Sequence, residues 1–87
     1  MTKIYIYCLF DERDTFWGVY SSIKAVHRDA MKIANKGDFP VVVEVGDAHS
    51  APSLTALRNI FKGQHDIWVR YRSGRHYAKI LKTKLKE

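Results

Sequence analysis

The chemistry-bearing residues of this chain begin with four histidines, His27, His49, His65 and His76. None stands at an H-x₃-H or C-x₂-C spacing, so the sequence predicts no metal site and no cofactor. Asp47-x-His49, in a segment that reads as a loop, would be an acid–base or metal candidate, but a loop Asp and His are ordinarily solvated turn residues. Asp11, Glu12 and Asp14 could gather a divalent cation, although carboxylates in a hairpin loop ordinarily face water. His76 lies close in sequence to Arg72, Arg75 and Tyr77, the inventory of a metal-independent ribonuclease: a general base, cations for the transition state and a phenol. Strand parity puts His76 on the presumed core face with Ala78, so catalysis by His76 is the alternative reading and a non-catalytic protein the leading one.

The stronger signal is basic. The chain has 15 Lys and Arg against 9 Asp and Glu, net +6, and seven of those cations fall in residues 66–87 against two acids. The last quarter therefore carries +5, and residues 1–65, with eight cations and seven acids, only +1. Alternation along two expected strands sorts these groups by face. Ile67, Val69 and Tyr71 point one way and Trp68, Arg70 and Arg72 the other; Arg75, Tyr77 and Lys79 oppose His76, Ala78 and Ile80. With Ser73-Gly74 as a tight turn, Arg72 would face Arg75, Arg70 would face Tyr77 and Trp68 would face Lys79. Facing arginines repel unless an anion sits between them, guanidinium groups hold phosphate bidentately, and Trp and Tyr rings stack unpaired bases. The expected site is thus an RNA-binding face with Arg70, Arg72, Arg75, Lys79 and Lys82 on phosphate and Trp68 and Tyr77 on bases. The competing structural explanation is a solvated edge hairpin whose cations discourage aggregation.

The elements that must position these groups follow from periodicity. Lys3 to Phe10 alternates as a strand, and Phe16–Tyr20 completes a hairpin with it. Ser21 or Ser22 caps a helix whose inward face is Ile23, Val26, Ala30, Ile33 and Ala34, stopping at Lys36-Gly37. Phe39 to Gly46 reads as a strand, and Val41-Val42-Val43 predicts burial on both faces and a central position. Asp47 to Pro52 reads as loop. Ser53 caps a second helix with Leu54, Leu57, Ile60 and Phe61 inward. The order is β-β-α-β-α-β-β, an α+β single domain over residues 1–87 with its helices on one face of an antiparallel-rich sheet.

Composition narrows the class. Eighty-seven residues make one domain, 46% hydrophobic content excludes a disordered tail, and one cysteine excludes a disulfide scaffold. The longest apolar run, Ile4 to Phe10, is too short for a membrane span and lacks a signal-peptide cleavage site, so a soluble cytoplasmic protein without a membrane partner is expected. Cys8 shares a strand face with Ile4, Ile6 and Phe10 and reads as a small buried hydrophobe. The first helix carries Lys24, His27, Arg28, Lys32 and Lys36 with a single acid, Asp29, which reads as a solvated face able to extend a binding surface. Tyr5, Tyr7 and Leu9 with Phe16, Trp17, Val19 and Tyr20 are more apolar surface than one side of so small a core consumes. They predict a homodimer or a protein-binding patch.

The Lys3-Ile4-Tyr5-Ile6-Tyr7 strand, the Gly18-Val19-Tyr20-Ser21-Ser22 step and the following helix resemble small accessory proteins of tailed phages, host-takeover or anti-defence factors that act by binding. With the basic C-terminal hairpin added, the chain resembles the phage inhibitor of type III toxin–antitoxin endoribonucleases. The resemblance implies an RNA-binding protein that engages a host ribonuclease toxin together with RNA in the host cytoplasm. It covers less than half of the chain and transfers no site residue. A protein-only inhibitor that uses the aromatic N-terminal hairpin is the remaining alternative.

Overall fold

Two serines start the two helices as expected. In the computed structural model, which describes residues 4–36, 39–63 and 66–85, Ser22 Oγ accepts from the Ala25 amide at 3.3 Å and Ser53 Oγ from the Ala56 amide at 3.0 Å. Each hydroxyl thereby satisfies one of the amides that a first helical turn leaves without a partner. Helix α1 spans Ile23–Ala34 and helix α2 spans Leu54–Phe61. The Asn35 amide donates to Met31 O at 2.8 Å as α1 ends. The expected stop at Gly37, the strand start at Lys3 and His65 lie outside the described residues.

Among the described residues six strands accompany the helices: β1 Tyr5–Asp11, β2 Phe16–Tyr20, β3 Val42–Val45, β4 Ala48–Ser50, β5 Ile67–Ser73 and β6 His76–Lys84. They form one antiparallel sheet in the order β2-β1-β6-β5-β3-β4. The α+β class and the helices on one sheet face are as expected; the chain order gains a strand. Ala48–Ser50, expected as loop, pairs with β3 through Val43–Ser50, Glu44–His49 and Val45–Ala48. Its three residues are exposed and carry no apolar alternation, so nothing local marks it; pairing with β3 makes it a strand.

Tyr7, Leu9, Val26, Ala30, Ile33, Val43, Leu57, Phe61, Val69, Tyr71, Ala78 and Ile80 form the core between helices and sheet. Two expectations change here. The buried face of β1 is Tyr7 and Leu9, which puts Cys8 half-buried on the opposite face, where burial still pushes its thiol pKa up. And β3 lies one strand in from the edge, with Val42 and Glu44 half-exposed, because only the side that carries Val43, with Val41 just before the strand, joins the core.

The C-terminal hairpin is turned by Gly74 and Arg75, not by Ser73 and Gly74. Ser73 pairs with His76, Arg72 with Tyr77, Arg70 with Lys79 and Trp68 with Leu81. Gly74 has φ +60°, which suits the first central position of a type II′ turn, and a β-carbon there would come within 2.9 Å of the Phe39 ring. Ser73 stays in the strand, fully buried, with Oγ donating to Phe39 O at 2.5 Å.

Candidate nucleic-acid interface

The face of the sheet away from the helices is open, and the strand register lays its side chains in rows. One row crosses all six strands: Phe16, Phe10, Lys79, Arg70, Glu44 and His49. The next runs Val19, Cys8, Leu81, Trp68. Ring centroids stand 5.4 Å apart for Phe10–Phe16 and 5.7 Å for Phe10–Trp68, so an aromatic stripe leads inward from the β2 edge. Trp68 is 48% exposed and Phe16 53%.

Four of the expected site residues converge. Trp68, Arg70, Arg72 and Lys79, with Glu44, line a depression of about 420 Å³ on this open face. Lys79 Nζ is 5.6 Å from the Trp68 ring centre, and the Arg70 guanidinium carbon 5.2 Å from that of Tyr77. Tyr77 borders the group but is tied down, its amide donating to Glu12 Oε2 at 3.2 Å and its hydroxyl to Glu12 O at 3.3 Å. Arg75 is exposed in the turn, outside this depression.

Lys82 does not join them. It is an even-numbered residue of β6, so it shares the helix-facing side with Ala78 and Ile80 and is only 8% exposed. Its ammonium donates to Phe61 O at 2.6 Å and lies 4.7 Å from the Tyr5 ring centre. Alternation itself places it with Ala78 and Ile80, and the phosphate expectation rested only on its position among cations; its long apolar stem lets the charge reach a helix-end carbonyl.

The expected repulsion between Arg72 and Arg75 is also absent, because the register separates them. Arg72 is bound instead to Glu44 Oε2 at 3.3 Å, and the same oxygen meets His49 Nε2 at 3.0 Å. Lys79 pairs with Asp14 from the β1–β2 loop. Asp11 organises that loop. Its carboxylate accepts from the Arg13 amide at 2.8 Å, the Thr15 amide at 3.0 Å and the Trp17 indole at 3.2 Å. Slight burial pushes the Asp11 pKa up, but these hydrogen bonds outweigh it and hold the group below its ordinary value. Asp11, Glu12 and Asp14 thus each engage different groups, and no cluster of three metal-ligating residues occurs among the described residues.

His76 is half-exposed at the hairpin end, where Nδ1 meets Glu12 Oε2 at 3.3 Å. That contact ties the β1–β2 loop to the start of β6. Glu44, Glu12, Asp14 and Phe10 are the neighbours that sequence reasoning missed. Phe10 was within reach of alternation had Tyr7 and Leu9 been taken as the buried pair; the acids arrive from distant strands and loops and leave no local signal.

No protein-family model, no curated protein and no solved structure matches this chain. Among the described residues, no helix is long and apolar enough to cross a membrane.

Proposed function

We propose that the open sheet face holds single-stranded RNA, with Trp68 stacking a base and Arg70, Arg72 and Lys79 contacting phosphate. The observation that supports it most is the depression itself: a half-exposed indole whose neighbouring walls are three cations, on the face of the sheet away from α1 and α2. Arg75, at the hairpin tip, would reach the next phosphate along the strand. Glu44 and Asp14 give the cations alternative partners, so incoming phosphate exchanges one ion pair for another and the affinity is modest.

The resemblance to phage inhibitors of toxin–antitoxin endoribonucleases supplies a setting for that RNA. In it, the protein acts without catalysis and meets a host ribonuclease toxin through RNA that both hold.

Fluorescence anisotropy with a labelled oligouridine tests the binding. Affinity should fall with added salt by about 0.7 log unit per log unit for each phosphate contact, and Trp68→Ala should weaken it. A salt-independent affinity, or no binding, would overturn the proposal. A pull-down from lysate with and without nuclease tests the setting: partners lost on nuclease treatment support it, and partners retained favour a protein-only inhibitor.

A further inference from the structure

The second concentration of cations lies on the opposite side of the molecule. Lys24, Arg28 and Lys32 follow one another at four-residue intervals, so they form a single row along the exposed face of α1, about one turn apart. Such a row of like charges destabilises the helix that carries it, and Lys24 stands in the first turn, which contains no acid to complement the helix dipole. Asp29, the acid of α1 beside the row, is committed. It accepts from the Tyr20 hydroxyl at 2.6 Å and from Arg28 Nε at 3.3 Å, while the terminal nitrogens of Arg28 make no bond among the described residues.

Alongside this row is a groove of about 660 Å³, lined by Lys24, Arg28 and Lys32 together with Ala25, Met31 and Leu54. Ser22 and His27 complete the lining, so no carboxylate lines it. Ser22 Oγ is spent on the helix cap and His27 Nδ1 on the Tyr71 hydroxyl at 2.6 Å. The apolar part is aliphatic, with no Phe, Tyr or Trp. That separates it from the open sheet face with its exposed indole: the ring in this lining is the His27 imidazole, which packs edge-on against Tyr71 and is bonded to its hydroxyl.

We propose that the α1 groove is a protein-docking site for an acidic amphipathic helix, whose carboxylates, one turn apart, pair with Lys24, Arg28 and Lys32 while its aliphatic side chains pack on Ala25, Met31 and Leu54. Cation spacing of one helical turn matches the spacing of carboxylates on such a partner, and an unbranched methionine in the floor adapts to varied apolar side chains. The site stands apart from the RNA reading, since it shares no residue with the open face.

The test is nuclear magnetic resonance titration of the full chain with three probes. One is a synthetic helical peptide of about 16 residues bearing Glu at every fourth position beside a leucine stripe. The second is the same composition scrambled, and the third is oligouridine. The helical peptide should shift the amides of Ser22 to Lys32 and Leu54, and bind at least about tenfold more tightly than the scrambled one. Arg28→Glu, an exposed change that leaves the core intact, should remove that preference, and Trp68→Ala should leave it unchanged. No shift at about 1 mM peptide, equal binding of the scrambled peptide, shifts confined to the open sheet face, or displacement of the peptide from α1 by oligouridine would each overturn the proposal. Failure of oligouridine to bind anywhere would overturn only the RNA reading.

Discussion

Lys79 and Lys82 stand three residues apart on one strand and live in different worlds. Lys79 lies on the open face, near the Trp68 ring and paired with an acid from a distant loop. Lys82 lies under the helices, its ammonium donating to the last residue of α2 and standing 4.7 Å and 5.9 Å from the Tyr5 and Phe61 ring centres. Both contribute equally to the net charge, yet only the first is available to a ligand. A count of cations locates a region; the two faces of the sheet decide which members of it serve stability and which can serve binding.

The sharpest way to break that contrast is to hollow out the covered face. Phe61 is fully buried, its ring 5.4 Å from that of Tyr7 and its carbonyl the acceptor for Lys82. Phe61→Ala should cost about 3–5 kcal/mol of unfolding free energy, read from urea denaturation. Lys82→Ala comes next. It leaves the Phe61 carbonyl without its donor and removes buried stem, at about 1–3 kcal/mol, while the salt slope of RNA binding stays unchanged. Lys79→Ala should do the reverse, costing under about 1 kcal/mol of stability and flattening the salt slope by about 0.7. If Lys82→Ala also flattened the slope, the separation of the two faces would fail.

How much of this contrast was legible in the sequence depends on how local its causes are. The helices were, because Ser22 and Ser53 cap them and their apolar residues recur at helical spacing. The sorting of Trp68, Arg70 and Arg72 away from Val69 and Tyr71 was, because alternation needs only the strand itself. Turn position was not, since it hinges on which residue must adopt φ +60°, and placing Gly74 second instead of first shifts every partner across the hairpin. Nor were the acids that answer the cations, because Glu44 and Asp14 come from β3 and from the first loop. The strand β4 was invisible for a related reason: three exposed residues become a strand only through the neighbour they pair with.

On the open face the expected effects fall on binding. Trp68→Ala should reduce oligouridine affinity by about 1–3 kcal/mol, the worth of one stacked base. It should change stability far less than Phe61→Ala does, because the indole is already half in water. Equal losses of stability in the two variants would mean that Trp68 belongs to the fold and not to a site.

The smallest effect is a gradual one and tests the covered face again. His27 packs edge-on against Tyr71, its Nδ1 bonded to the phenol, and burial holds its pKa below the ordinary 6.5. Folding therefore keeps this imidazole neutral, while the unfolded chain takes up a proton as the pH drops below 6.5. More protons on the unfolded state mean that stability is fully present above that value and declines as the pH falls through the folded-state pKa. Asp29, which the Tyr20 hydroxyl holds below its ordinary 3.8, loses its contribution only further into acid. As the pH falls below 6.5, and before Asp29 takes up a proton, the wild-type urea midpoint should fall with a steeper slope than that of His27→Gln. Parallel slopes would show that His27 is protonated as readily in the folded chain as in the unfolded one, and that the helix-covered side is wetter than its packing implies.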